Sequence, residues 1–158
     1  VEPRALSELL HPQVDPRGPR DVVARGIAAS PGAATGRVVF SSAAAQASAA
    51  RGEACILIRR ETEPEDIRGM NSAAAVLTER GGMTSHAAVI ARGLGLPCIV
   101  GASDLRLDAR AGTIRALDGR ILREGDTITL DGTRGEVLAG EADMLPPALD
   151  DSFRTLLG

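Results

Sequence analysis

The chain has 158 residues, 44% hydrophobic and 25% charged, with a formal net charge of -3, which gives room for one domain with a proper core and none for a second large one. Its aromatic residues are Phe40 and Phe153, and its basic residues, the two histidines aside, are all arginines scattered along the chain, so base stacking and a polyanion patch are both excluded and no nucleic-acid partner is expected. No apolar stretch approaches the roughly 20 residues of a membrane span and no signal peptide is legible, so a cytoplasmic setting with no membrane partner is expected.

Residues 1–21 hold Pro3, Pro12, Pro16 and Pro19 among mixed charges and read as a linker or arm ahead of a folded unit over 22–142. His11 falls in this arm and reads as a linker residue. Residues 36–40, 54–59 and 74–78 are short apolar runs, continuous enough to be buried strands. Between the last two, Thr62-Glu63-Pro64-Glu65 has an N-cap hydroxyl, an early proline and a Glu three places on, which predicts a capping box opening a helix through about Met70. That makes a strand-helix-strand crossover. Glu61, Thr62 and Asp66 sit where they could line a neighbouring loop, and helix capping accounts for all three. Cys55 and Cys98, in apolar strands and without Cys-x-x-Cys spacing, read as buried free thiols in preference to a disulfide or metal ligands. With His11 and His86 the only histidines and no clustered ligands, no metal site is expected.

Next comes Gly81-Gly82-Met83-Thr84-Ser85-His86-Ala87-Ala88-Val89-Ile90-Ala91-Arg92. Thr84 and Ser85 stand where an N-cap belongs, and the alanine-rich apolar run after them is helix material, so His86 is predicted in the first helical turn. There, unpaired N–H groups and the positive end of the dipole favour an anion and disfavour an imidazolium, which keeps the ring in its nucleophilic neutral form. Gly81 and Gly82 allow the close approach and unusual torsions that a phosphate-cradling loop requires, and Thr84 and Ser85 can donate to phosphoryl oxygens as well as cap. An ordinary strand-to-helix turn also ends in glycines and hydroxyls, so spacing alone leaves an incidental histidine open. Arg92, six residues on, lies roughly 240° around the helix from His86 and is expected in a structural ion pair rather than on a phosphate.

Residues 97–100 read as a further buried strand. After Gly101 the pattern becomes alternating, with 112–114, 125–132 and 135–138 separated by Gly-Asp and Asp-Gly turns, which predicts antiparallel hairpins. Asp143 to Pro147 closes the unit, and residues 143–158 read as a C-terminal linker with a short amphipathic tail. The fold class is α/β, with buried parallel or mixed strands, helices and added antiparallel hairpins.

Residues 81–95 resemble the phosphohistidine segment of the phosphoenolpyruvate-utilising enzymes. Leu10-His11-Pro12-Gln13, Gly26 to Ala34 with Gly36, and Glu61 to Ile67 extend the resemblance along nearly the whole chain, most nearly toward the pyruvate, phosphate dikinases. Gly95 to Gly101 is worded more like phosphoenolpyruvate synthase and Enzyme I. The resemblance implies a swivelling β/β/α phosphohistidine domain in which His86 takes the β-phosphoryl of ATP at an ATP-grasp domain, the γ-phosphoryl passing to inorganic phosphate. His86 then donates to pyruvate at a phosphoenolpyruvate/pyruvate barrel, and the products are AMP, pyrophosphate and phosphoenolpyruvate. Both partner domains would belong to the same polypeptide, with 143–158 leading toward the barrel. Mg2+ is implied for the parent enzyme and no cofactor for the isolated domain, which would not turn over alone. In plant-type dikinases the Thr two places before the carrier is reversibly phosphorylated, which implies a regulatory kinase/phosphatase acting on Thr84. The alternatives are the carrier domain of phosphoenolpyruvate synthase, rifampin phosphotransferase or Enzyme I, and a non-catalytic anion- or protein-binding module of the same fold.

Overall fold

The computed structural model describes residues 13–14, 21–108, 110–140 and 144–145. In chain order these form β1 (Gln13–Val14), β2 (Val22–Arg25), β3 (Ile27–Ser30), β4 (Ala33–Val39), α1 (Ser42–Ala50) and β5 (Cys55–Arg59). A 3-10 turn (Pro64–Asp66) then runs into α2 (Ile67–Ser72), followed by β6 (Ala75–Thr78), α3 (His86–Leu94) and β7 (Cys98–Val100). The remainder is β8 (Arg106–Asp108), β9 (Thr113–Arg115), β10 (Ile121–Arg123), β11 (Thr127–Asp131), β12 (Glu136–Ala139) and β13 (Met144–Leu145).

Eight strands make one mixed sheet in the order β2-β12-β11-β4-β5-β6-β7-β3. Its centre, β4 to β7, is parallel, and antiparallel partners flank it: β11 on β4, β12 on β11, β2 on β12, and β3 on β7. The parallel strands are the continuously apolar runs, and their alternate side chains serve two cores. Ile56, Ile58, Leu77 and Ile99 face one side, where Ile114 and Ala116 from the three-stranded antiparallel sheet β8-β9-β10 close over them. Cys55, Leu57, Val76, Cys98 and Val100 face the other, against Ala45 of α1, Met70 of α2 and Ala87, Ala88 and Ala91 of α3. The layers are therefore small sheet, large sheet and helices, a β/β/α stack of mixed α/β class. Each large aliphatic side chain fully buried here is worth about 1.5–3 kcal/mol of transfer free energy, so two cores compensate for the lack of aromatics.

Helix α1 lies outside the predicted elements. Ser41 caps it, its side chain accepting from the Ala44 N–H at 3.1 Å, but the sequence Ser-Ala-Ala-Ala-Gln-Ala-Ser-Ala-Ala has no apolar stripe to betray it. It packs by closeness. A Cβ built on Gly69 of α2 would stand 2.6 Å from the Ser42 Cα, so the two helices touch backbone to backbone.

The helix expected from Thr62 is corrected in two respects. It starts one residue later, with Glu63 as the cap and Asp66 closing the turn, Asp66 Oδ2 accepting from the Glu63 N–H at 2.9 Å. It is also divided, the proline-led first turn being 3-10 and α2 following to Ser72. The Thr62 hydroxyl is thereby released from capping.

The expected arm and C-terminal linker, with His11, fall largely outside the described residues. Of those spans, β1 and β13 are described, and they pair with each other antiparallel, Gln13 opposite Leu145 and Val14 opposite Met144.

Candidate phosphoryl-transfer site

The parallel strands β5 and β6 end side by side, and the chain beyond each end builds one cleft. Past the strand ends the pairing continues, the Glu79 N–H donating to the Arg59 carbonyl at 3.1 Å and the Arg80 N–H to the Arg60 carbonyl at 3.0 Å. Ligand sites of open α/β sheets lie at the carboxyl ends of their strands, and this cleft is in that place. It has a volume of about 220 Å3 and is lined by Glu61 and Thr62 from the β5 side, Thr78, Arg80 and Gly81 from the β6 side, and Ser85 and His86 at the start of α3.

His86 is the first residue of α3, whose N-cap is Ser85 rather than Thr84: Ser85 Oγ accepts from the Ala88 N–H at 3.3 Å. The first-turn N–H groups of His86 and Ala87 have no acceptor within the helix and are directed to this end. Gly95 closes the helix in the left-handed conformation. Thr84 is exposed in the preceding turn, and its hydroxyl has no partner among the described residues.

The imidazole is held from the opposite wall. Thr62 Oγ1 lies 3.0 Å from His86 Nδ1, and Thr62 is buried. Nε2 has no partner among the described residues. The spacing of the sequence pointed to Thr62 as a cap, and the bond that ties it to His86 exists only because β5 and β6 are neighbours.

The two glycines do different things. Gly81 needs its lack of a side chain, since its φ is 106° and a Cβ there would meet the Ser85 side chain at 3.1 Å. Gly82, expected to need the same freedom, has no left-handed torsion, and a Cβ there would meet nothing within 4 Å of it. The space over Gly82 is open. Behind the loop, Gly101 has a φ of 64°, and a Cβ on it would fall 2.8 Å from the Gly81 carbonyl oxygen.

Arg92 departs from the expected ion pair. Its guanidinium donates to two backbone carbonyls, Ala29 at 3.2 Å and Met83 at 2.6 Å, and so fastens the loop that leads into His86 to strand β3. These two carbonyls take two of the guanidinium's five N–H donors, and no carboxylate pairs with it among the described residues. Glu61 lines the cleft, while Asp66 is taken by the Glu63 N–H and by Arg59 Nε at 3.3 Å.

Arg80 was not among the predicted site residues. An exposed arginine reads as a solvated charge, and the signal that distinguishes it is its place two residues past the end of a buried parallel strand. Both cysteines are buried and free, and burial pushes Cys98 up to about 12. Among the described residues no group of three or more His, Cys, Asp or Glu is arranged to hold a metal ion, and no helix is long and apolar enough to cross a membrane.

Residues 51–135 match the sequence model of the family described as "PEP-utilising enzyme, mobile domain", and the chain belongs to that family. Among its relatives, "Pyruvate, phosphate dikinase" of Rhizobium meliloti (strain 1021) is 50% identical over 157 residues, covering 99% of this chain and 17% of the relative. "Pyruvate, phosphate dikinase 2" of Zea mays is 47% identical over 159 residues, covering 99% of this chain and 18% of the relative. These relatives are phosphotransferases, and the chain matches one domain's length of them, about a sixth of the whole. A solved structure titled "N-terminal domain of Enzyme 1 - Nitrogen" shares 24% identity over 66% of this chain and 37% of its own, with a TM-score of 0.40.

Proposed function

We propose that this chain is the phosphohistidine carrier of a pyruvate, phosphate dikinase, moving a phosphoryl group on His86 between two active sites located elsewhere in the same polypeptide. The observation that carries this reading is the bond between Thr62 Oγ1 and His86 Nδ1. With the ring proton on Nδ1 and donated to Thr62, Nε2 keeps its lone pair and faces a cleft at a helix N-terminus. A nucleophile oriented through its second nitrogen, beside unpaired N–H groups, is the arrangement a phosphoryl relay requires. Gly81, Gly82, Thr84 and Ser85 form the loop over which the phosphoryl oxygens rest, and Arg92 supports that loop from behind.

A relay has to reach its donor and its acceptor. In this reading the donor is an ATP-grasp domain and the acceptor a barrel that binds pyruvate and phosphoenolpyruvate, a fold of roughly 250 residues by itself. The Mg2+ that assists ATP chemistry belongs to those domains, and the enzyme is cytoplasmic. The domain over 22–142 swivels between them, with the segments at 1–21 and 143–158 as its tethers. Pairing of β1 with β13 supports tethers that act together instead of as two independent pivots. Thr84, exposed two residues before His86, is accessible to a regulatory kinase and phosphatase, and a phosphate there would repel the incoming phosphoryl group.

The test is chemical labelling. Treated with phosphoramidate, the chain is expected to gain acid-labile phosphate at His86, in preference to His11, and His86→Ala is expected to gain none. Equal labelling of the two histidines, or none at His86, would refute the carrier reading in favour of a binding module of the same fold.

A further inference from the structure

Arg80 places an unneutralised cation beside the nucleophile. Its backbone is fixed: the N–H donates to the Arg60 carbonyl at 3.0 Å, and the carbonyl accepts from Thr78 Oγ1 at 2.6 Å and from the Gly101 N–H at 3.3 Å. Its guanidinium, in contrast, has no hydrogen bond or ion pair among the described residues. Of the neighbouring arginines, Arg59 is occupied by Asp66 at 3.3 Å and Arg60 and Arg106 by Glu79, each at 3.7 Å, while Arg110 borders the larger groove but does not line the His86 cleft. Glu61 lines the same cleft and forms no ion pair with Arg80. Arg80 also borders a second, larger groove of about 660 Å3, so it stands between His86 and the space by which a bulky donor would arrive. A planar fork of donors on an anchored backbone is suited to two phosphoryl oxygens at once.

We propose that Arg80 is a phosphoryl-binding residue of the His86 site, its guanidinium holding the oxyanions of the group in transit. This rests on the carrier reading of His86. In the transfer the Nε2 lone pair forms the N–P bond while the bond from phosphorus to its leaving group breaks, the electron pair departing with the leaving atom. From N-protonated phosphoramidate the leaving group is ammonia and no further proton is needed; Nδ1 keeps its hydrogen on Thr62. The charge of the transition state spreads over three equatorial oxygens, and Arg80 stabilises it there.

The experiment is the time course of His86 labelling by phosphoramidate, joined to a 31P NMR pH titration of the phosphorylated chain. The titratable groups lining the cleft are Glu61, Arg80 and His86 itself. Arg80→Gln is expected to slow labelling about tenfold, the loss of one charge-assisted contact, and to raise the pH at which the phosphoryl group takes up its proton, because a nearby cation favours the dianion. Arg80→Lys is expected to recover part of both effects, and keeps the question open to measurement if the glutamine variant fails to fold. Glu61→Gln should move both readings the other way, and Arg123→Gln, outside the cleft, should move neither. Equal rates and equal titration midpoints for Arg80→Gln and the unmodified chain would overturn the assignment of Arg80 alone. No label at His86 in the unmodified chain would overturn the carrier reading and this proposal with it.

Discussion

Thr62 Oγ1 and His86 Nδ1 stand 3.0 Å apart across the ends of β5 and β6, although 24 positions separate them in the chain. A hydroxyl at that distance can accept the Nδ1 proton, and in that tautomer Nε2 is the bare nitrogen. Thr62→Val, which keeps the shape and removes the hydroxyl, is expected to leave the fold intact and release the tautomer. The 15N spectrum of the histidine ring should then show a mixture where the unmodified chain shows protonation at Nδ1. Labelling should slow about tenfold, as for one lost hydrogen bond to a group that becomes charged. Thr62→Ser should behave as the unmodified chain. A valine variant with an unchanged ring spectrum would show that Thr62 does not set the tautomer.

Gly101 and Gly82 separate what the loop needs for shape from what it needs for its ligand. Alanine at Gly101 would take a left-handed torsion and drive a methyl to 2.8 Å from the Gly81 carbonyl, so Gly101→Ala is expected to cost about 1–3 kcal/mol in chemical unfolding. Gly82→Ala meets nothing in the chain and should change stability by less than about 0.5 kcal/mol. On the proposed carrier reading it should nevertheless slow phosphoramidate labelling, since the methyl would enter open space that the reading gives to the phosphoryl oxygens. A Gly82→Ala chain that labels at the normal rate would show that the space over Gly82 serves no ligand.

The buried thiols predict an alkaline limit to stability. Burial raises both cysteines above the ordinary thiol value of about 9, Cys98 to about 12, so the folded state keeps protons that the unfolded chain releases. With more protons bound when folded, stability is fully present below about pH 9 and falls as the pH rises toward about 12. Unfolding titrations at several pH values should show that decline, and Cys98→Ser or Cys98→Ala should flatten it. Both thiols should also resist alkylation at pH 8 until the chain unfolds.

The sequence announces its buried parallel strands because they are short, continuous and bounded by turn residues, and residues 55–59, 75–78 and 98–100 came through nearly intact. It announces α3 because Ser85 and Gly95 mark its ends and an apolar face lies between them. Helix α1 is silent for the opposite reason: alanine and serine bury well against a backbone-close neighbour and leave no hydrophobic period. The hydroxyl at Thr62 and the cap at Glu63 are one residue apart, and nothing local says which of them opens the turn. Arg92 and Arg80 were illegible in kind, since an arginine has the same appearance in sequence whether it meets a carboxylate, two carbonyls or nothing. Their roles depend on which strand ends the topology brings together.

The pairing of Gln13 with Leu145 and of Val14 with Met144 has a consequence for any polypeptide in which this fold is embedded. Paired strands lie about 4.8 Å apart, so the whole unit hangs from a gap in its host no wider than one strand spacing. Pulling on either strand alone is opposed by the hydrogen bonds to the other, so the two points of attachment stay together.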